Sequence, residues 1–180
     1  MRTIRLIVIR LALLMFTLSS TSNVSGQSPI PGCHDPAYGK LDFWIGHWDV
    51  YVDGKLDGTD VVEKILKDCA LVENWREADG SGEGKSLFYY VAATKSWKQV
   101  WVTDAGPLKE KQLIAEFPDG GVRFQGEIPH ADGKSHLDRT TLTPLPGGKV
   151  HQVIEISRDG GKSWQVTYDG QYVAAHAVRR

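Results

Sequence analysis

The sequence predicts an all-β protein, an antiparallel up-and-down β-barrel of about ten strands with a short N-terminal lead-in. Turn signals of the Asp-Gly or Gly-Gly type recur along the chain, from Asp53-Gly54 through Asp57-Gly58 to Asp169-Gly170. Such pairs supply the positive φ angles that tight hairpins need. Between the turns, apolar and polar residues alternate with a period of two, which is typical of strands with one buried face.

The N-terminal segment, residues 1–26, is expected to be a signal peptide. Arg2 and Arg5 give it a positive start, and the apolar segment 11–18 that follows is too short to cross a bilayer. Val24-Ser25-Gly26 places small or medium residues just before the expected cleavage site. These features predict an exported protein, periplasmic or extracellular.

Cleavage after this segment leaves a mature domain, residues 27–180, which is expected to form the barrel. The leader contains three of the 21 Lys and Arg residues and no acid, so 18 basic residues stand against 22 acidic ones in the mature chain. With no basic stripe, nucleic acid and anionic membrane surfaces are not expected as partners. Alternative interpretations of the leader are an uncleaved anchor and a lipoprotein modified at Cys33.

The two cysteines, Cys33 and Cys69, are expected to form one disulfide, because an exported chain with a single pair usually oxidises it. A closed loop of this length would stabilise the fold by roughly 3–4 kcal/mol through chain entropy. Two free buried thiols and a metal site are the alternatives. Neither cysteine has neighbours at zinc-ligand spacing.

The strands follow an irregular lead-in at 27–37 and one short helical turn within 38–45. Closing them into a barrel would leave no unpaired sheet edge, whereas a two-sheet sandwich is the competing architecture. The interior of such a barrel holds either side chains or one small ligand. The predicted strands are 46–53, 59–67, 70–78, 85–92, 97–103, 109–117, 121–128, 135–144, 149–157 and 163–173.

The segment 41–50, Leu-Asp-Phe-Trp-Ile-Gly-His-Trp-Asp-Val, resembles the opening of an uncharacterised, mostly bacterial family of lipocalin-like barrels in the calycin superfamily. Its Gly-His-Trp is similar to the Gly-x-Trp signature of the first lipocalin strand. Segments 69–75, 97–104 and 160–172 also resemble that family. The resemblance implies the barrel fold but little about function, because one fold hosts many activities.

Two further motifs have structural interpretations. Gly46 lets the chain turn into the first strand, and Trp48 is expected to plug one end of the barrel. In lipocalins a cation from the last strand often covers that indole, and the candidates here are Arg179 and Arg180. Residues 157–164, with Asp159 and Trp164, match the "Asp box" hairpin of sialidases. It is expected to hold a turn rather than to catalyse a reaction.

Strand 97–103 gives the clearest functional hint, because Trp97, Gln99 and Trp101 share one face. Two indoles with an amide between them are typical of ligand pockets, which combine aromatic walls with a few polar groups. A core filled by aromatic side chains is the alternative. The residues expected to bind a ligand are Glu73, Trp75, Tyr90, Gln99, Trp101 and Arg139.

Catalytic and cofactor hypotheses rest on single residues. Glu73 is a candidate acid or base, although such a carboxylate more often pairs with an internal arginine, here Arg139 or Arg76. His176 lies near the C-terminus, where the haem-binding barrels of the same superfamily hold iron. No cofactor or metal is expected, since the histidines show no metal-ligand spacing and no catalytic motif is present.

The sequence therefore favours non-catalytic binding of a small apolar or aromatic molecule by an exported barrel. An envelope enzyme that uses Glu73 or haem at His176 is one alternative, and a structural or interaction module with a filled barrel is another. The oligomeric state and the identity of the ligand do not follow from the residues.

Export is tested by the mass of the intact protein taken from the native cell envelope. We expect a chain that begins near Gln27 and whose Cys33 and Cys69 resist alkylation until a reductant is added. A cytoplasmic chain that retains residues 1–26 would contradict the hypothesis.

Overall fold

The computed structural model describes Cys33 and residues 35–175, which form a closed barrel of ten antiparallel strands. Each strand pairs with the next one along the chain, and the last pairs with the first, so the predicted up-and-down barrel is confirmed. Two 3-10 helices, Pro36–Gly39 and Asp42–Trp44, precede it. The strands are β1 Gly46–Val52, β2 Lys55–Ile65, β3 Ala70–Glu77, β4 Glu83–Val91, β5 Ser96–Thr103, β6 Lys109–Glu116, β7 Val122–Pro129, β8 Ser135–Leu145, β9 Lys149–Ser157 and β10 Gln165–Ala174.

The β1–β2 hairpin shows how the turn signals act. Val52 pairs with Lys55, so Asp53 and Gly54 form a two-residue loop, with φ angles of 49° and 74°. Positive φ at both central residues is the requirement of a type I′ turn, whose twist matches that of the flanking strands. The Asp-Gly pair therefore sets the register of the first two strands next to the turn, as far as the irregularity between Val50 and Tyr51.

Two Asp-Gly pairs that carry turn signals lie inside strands, and one of them, Asp169-Gly170, falls within the predicted strand 163–173. Gly58 belongs to β2, which begins at Lys55 rather than at residue 59, and Gly170 belongs to β10. A Cβ at Gly58 would overlap the ring of Trp75, and one at Gly170 would crowd the ring of Tyr168. At both positions glycine makes room for an aromatic ring rather than for a turn.

One end of the barrel is filled by apolar side chains beneath the 3-10 helices. Trp44 packs edge-on against Phe88 and Tyr172, with ring centroids 5.2 and 6.1 Å apart. Trp48 is buried beside them and donates from Nε1 to the Trp44 carbonyl oxygen at 3.1 Å. A Cβ at Gly46 would come within 3.0 Å of the Trp48 ring, so the small residue allows the indole to lie there. We call this end, with Trp44 and Trp48, the closed end.

The Cys33–Cys69 disulfide is confirmed, and it ties the segment that covers the closed end to the β2–β3 turn. That turn contains Leu66, Lys67 and Asp68, all in the left-handed region with φ of 55–69°. Such conformations cost non-glycine residues roughly 1–2 kcal/mol each. The crosslink at the adjacent Cys69 anchors the turn to a second point of the fold.

Several expectations concern residues outside the part that the structure describes. These are the signal peptide at 1–26, the haem ligand His176, and the cation over Trp48 expected from Arg179 or Arg180. Across the residues that the structure describes, the helices are all too short, or too polar, to pass through a lipid bilayer.

Removal of the Trp48 indole is expected to destabilise the barrel strongly. Trp48→Ala should lower the free energy of unfolding by about 3–5 kcal/mol, the usual cost of deleting a buried large aromatic side chain. The measurement is chemical denaturation followed by circular dichroism. The matched control is Val166→Ala, at a side chain that is 53% exposed, which should change stability by less than about 0.5 kcal/mol. Equal midpoints for Trp48→Ala and wild type would contradict the packing argument.

Candidate functional site

The half of the barrel opposite the closed end contains a cavity of about 200 Å³. Its walls come from the inward positions of β2, β3, β5, β6, β8, β9 and β10. Eight of the lining side chains are polar or charged and four are aromatic, in contrast to the apolar core beneath the cavity. The lining residues are Asp57, Glu73, Trp75, Glu77, Gln99, Trp101, Lys109, Lys111, Thr140, Gln152, Ile154, Tyr168 and Tyr172.

Three aromatic rings lie against glycines in the strand walls. Trp75 covers Gly58, Trp101 covers Gly84, and in both cases a Cβ on the glycine would overlap the indole. Tyr168 covers Gly170 in the same way. Because the glycines let these rings lie against the backbone, the rings form the cavity wall and leave the space between them open.

A pair of buried carboxyl groups, Asp60 on β2 and Glu73 on β3, occupies one side of the interior. Asp60 is fully buried, and Glu73 is 3% exposed and lines the cavity. Burial raises the pKa of Asp60 to about 6. Burial, followed by the charge of Asp60, holds the pKa of Glu73 well above its usual range. Two such groups cannot readily both ionise, so the pair retains a proton where isolated carboxyls would lose theirs.

A short polar chain leads from Glu73 to Gln99. The Ser86 hydroxyl donates to Glu73 and thereby lowers the pKa of that carboxyl, against the larger effect of burial. Gln99 Nε2 donates to Ser86 Oγ at 3.1 Å. Since the single hydroxyl proton of Ser86 is used on Glu73, its oxygen accepts from Gln99. Gln99 Oε1 is then left buried and without a hydrogen-bond partner among the described residues.

The opposite wall holds two lysines that share one carboxylate. Lys111 Nζ donates to Asp138 Oδ1 at 2.5 Å and to Thr140 Oγ1 at 2.6 Å, and Lys109 Nζ lies 2.9 Å from Asp138 Oδ2. Burial lowers the pKa of Lys111 to about 8 although Asp138 acts in the opposite direction. Burial alone would raise the pKa of Asp138, but Lys111 and Lys109 bring it below its usual range. Each lysine of this wall is therefore paired within the protein, although the two cations share a single carboxylate.

Two tyrosines complete the lining, and each directs its hydroxyl to a named acceptor. Tyr172 donates to Gln152 Oε1 at 3.0 Å, and Tyr168 donates to Asp57 Oδ2 at 3.2 Å. Burial, assisted by the nearby carboxylates, raises the pKa of both phenols. They are consequently neutral hydrogen-bond donors at physiological pH and orient the groups around the cavity.

The structure brings four of the residues predicted to bind a ligand to this cavity, namely Glu73, Trp75, Gln99 and Trp101. Tyr90 lies elsewhere, packed against Tyr38 and Trp97 near the closed end. It shares the inward face of β4 with Phe88, and the direction of β4 carries it away from the cavity.

Arg139 also lies outside the cavity, which corrects its predicted role. It is on the outer face of β8 because its neighbours Asp138 and Thr140 point inward. Its guanidinium donates to both oxygens of Glu155, at 2.7 and 2.8 Å, and lies 3.8 Å from the Trp164 ring centroid. Arg76 is likewise at the surface, paired with Glu83, so neither arginine neutralises Glu73.

The Asp-box hairpin is a hydrogen-bonded turn, and none of its residues lines the cavity. Asp159 Oδ1 accepts from the backbone amides of Lys162 and Ser163 at 3.0 and 2.9 Å, and its Oδ2 accepts from the Ser163 hydroxyl. The hydrogen bonds from Ser163 bring the pKa of Asp159 to about 2. Trp164 Nε1 donates back to the Gly161 carbonyl oxygen at 3.1 Å. These hydrogen bonds of Asp159 are therefore all made within the turn.

Sequence reasoning missed the charged partners Asp60, Lys111 and Asp138. The period-two pattern of β2 contains the signal for Asp60, because Asp60 and Val62 share a face. Lys111 and Asp138 carry no comparable signal. Their inward placement depends on mutual pairing across strands far apart in sequence.

No protein-family model matches this sequence, and no curated protein sequence matches it. Within residues 35–175, no three His, Cys, Asp or Glu side chains converge in a way that could hold a metal ion. The function must therefore be inferred from the geometry of the cavity.

The carboxyl pair makes stability depend on pH. The native state holds a proton that the unfolded state has lost, so the free energy of unfolding falls as pH rises from about 5 to 7, at about 1.4 kcal/mol per pH unit for one full extra proton. Glu73→Gln removes one member of the pair. As pH rises from 5 to 7, we expect the free energy of unfolding of this variant to increase by about 1–3 kcal/mol relative to that of the wild type. The measurement is urea denaturation at both pH values. The control is Glu63→Gln, at an exposed carboxylate on the same strand pair, which should keep the wild-type slope.

Proposed function

We propose that this protein binds a small aromatic molecule in the open half of its barrel and does not transform it. The observation that carries the proposal is the placement of Trp75 and Trp101 against Gly58 and Gly84. A filled core would direct large side chains across the lumen, whereas these indoles lie along its wall. Aromatic walls with a few directed polar groups are the usual composition of a ligand pocket.

The size of the cavity limits the ligand. Its volume of about 200 Å³ is below that of most drug-sized sites, which begin at about 300 Å³. An apolar cavity of roughly 150 Å³ accommodates one benzene molecule. The ligand is therefore expected to have a single ring with a short substituent. The charged and amide groups of the lining require that the substituent be polar, which narrows the largely apolar ligand expected from the sequence.

Export and family membership are part of the same proposal. The apolar leader and the disulfide support a periplasmic or extracellular location, where the bond would persist. The Gly46-His47-Trp48 motif and the ten-stranded up-and-down topology support a place among lipocalin-like barrels. In that setting a binding protein would meet its ligand outside the cytoplasm.

An acid–base enzyme is the second candidate, and one observation favours it. Glu73 lines the cavity, has a raised pKa and is paired with Asp60, an arrangement that active sites use to keep a carboxyl group protonated. If the protein is an enzyme, Glu73→Gln abolishes turnover while it leaves binding intact. Binding without turnover in the wild-type protein supports the non-catalytic function.

The binding proposal is tested by tryptophan fluorescence during titration with single-ring aromatic compounds and with a hydrophobic dye. Saturable quenching is expected, because Trp75 and Trp101 form the wall that the ligand touches. Trp101→Ala should weaken binding by about 10-fold or more, the loss of one aromatic contact, while it affects folding less than Trp48→Ala does.

A glycine variant provides a sharper version of the same test. Gly84→Ala adds a methyl group that overlaps the Trp101 ring and displaces it toward the lumen, so binding should weaken although no contact residue is removed. The matched control is Gly39→Ala, whose methyl group meets only the side chain of Asp42, which does not line the cavity. The absence of saturable binding across the panel would contradict the proposal and favour a structural module.

A further inference from the structure

We propose that the ligand is a protonated primary amine attached to an aromatic ring, with its ammonium group bound beside Glu73 and Gln99. The inference rests on the proposed function and names the chemical class of its ligand. Three features carry it: unpartnered oxygens in the interior, an excess of carboxylates over free cations, and aromatic rings that border the same space.

The unpartnered polar side-chain atoms near Glu73 are acceptors. Asp60 is fully buried and shares a proton with Glu73, and no other described group makes a well-aligned hydrogen bond to its carboxylate oxygens. Gln99 is 6% exposed, lines the cavity and leaves Oε1 without a donor. Buried acceptors without donors are costly, and a ligand that brings N–H groups removes the cost. A primary ammonium has three N–H donors and no acceptor.

The balance of charge around the cavity also favours a cation. Three acidic side chains line it, Asp57, Glu73 and Glu77, and Asp60 lies next to Glu73. Even with one proton retained by the Asp60–Glu73 pair, these four acids outnumber the two lysines of the lining. The two lysines of the lining are both bound to Asp138, which keeps their charge on the opposite wall. A carboxylate ligand would have to compete with Asp138 for these lysines, whereas an ammonium meets acceptors that have no donor.

The aromatic rings suit both parts of such a ligand. Trp75 and Trp101 offer indole faces to a ring, and the face of an indole also attracts a cation. A cation–π contact alone would accept a quaternary ammonium group equally well. The unpartnered oxygens distinguish the two, because a quaternary group has no N–H to donate to them.

Four probes with one skeleton test the inference by calorimetry near pH 7.5: 2-phenylethylamine, its N,N,N-trimethyl derivative, 2-phenylethanol and 3-phenylpropionate. The primary amine should bind about 10-fold or more tightly than the alcohol, the range expected for hydrogen bonds to a charged group. The trimethyl derivative and the carboxylate should both bind more weakly than the amine. A carboxylate or an alcohol that binds as tightly as the amine would overturn the inference.

Variants assign the ammonium to its acceptors. Glu73→Gln should lower the affinity for 2-phenylethylamine by about 10-fold. It should leave the affinity for 2-phenylethanol within about 3-fold of that of the wild type. Asp60→Asn is the second variant and should show the same selective loss. Glu63→Gln, which removes an exposed carboxylate from the outer face, should change neither affinity. Equal affinity of wild type and both interior variants for the amine would contradict the assignment.

The outcomes separate this inference from the function on which it rests. Saturable binding of 2-phenylethanol without a preference for the amine supports the binding function and overturns the ligand class. Failure of all four probes to bind counts against both. Retained binding of 2-phenylethanol by Glu73→Gln and Asp60→Asn shows that each variant is folded, so a selective loss of amine binding reports on the charge.

Discussion

The packing of Trp48 beneath Trp44 is the contact on which the rest of the barrel depends. It fills one end with aromatic rings and fixes where the first strand begins, through Gly46 and the bond from the indole nitrogen to the Trp44 carbonyl. Once that end is filled, strand direction alone decides which inward residues belong to the core and which face the cavity. Phe88 and Trp101 illustrate the consequence, since both point inward but one is core and the other is wall.

Burying charged groups inside the barrel is energetically unfavourable, and the packing of the fold does not require it. Apolar residues of similar volume at positions such as Lys111 and Asp138 would often make a fold equally stable or more stable. Asp60 and Glu73 are more costly still, because two carboxyl groups lie together and retain a proton. Departures of this kind from simple core rules are expected at functional sites. The interior chemistry therefore supports a role in ligand binding rather than in stability alone.

The fold was predictable because its signals are local. Asp53-Gly54 specifies its own hairpin, and the period of two in β5 places Trp97, Gln99 and Trp101 inward without any knowledge of the other strands. The site was predictable only in part, since inward placement does not say at which height of the barrel a residue lies. Because the sequence does not give this height, Tyr90 was wrongly predicted to line the cavity. The prediction for Arg139 was wrong for a different reason: its side chain pairs with Glu155 on the outer face of the barrel.

The glycines connect the fold to the site most directly. In the sequence Gly58 follows an aspartate and predicts a turn, yet in the barrel it lies in mid-strand beneath an indole. Such a glycine destabilises a strand, because it loses more conformational entropy on folding and has no side chain to pack. The loss is repeated at Gly84 and Gly170, each under a ring that borders the same cavity. Three separate positions in three strands thus give up local stability for one result, which is a lumen kept open between aromatic walls. A barrel whose only requirement was a filled core would gain from larger residues at all three.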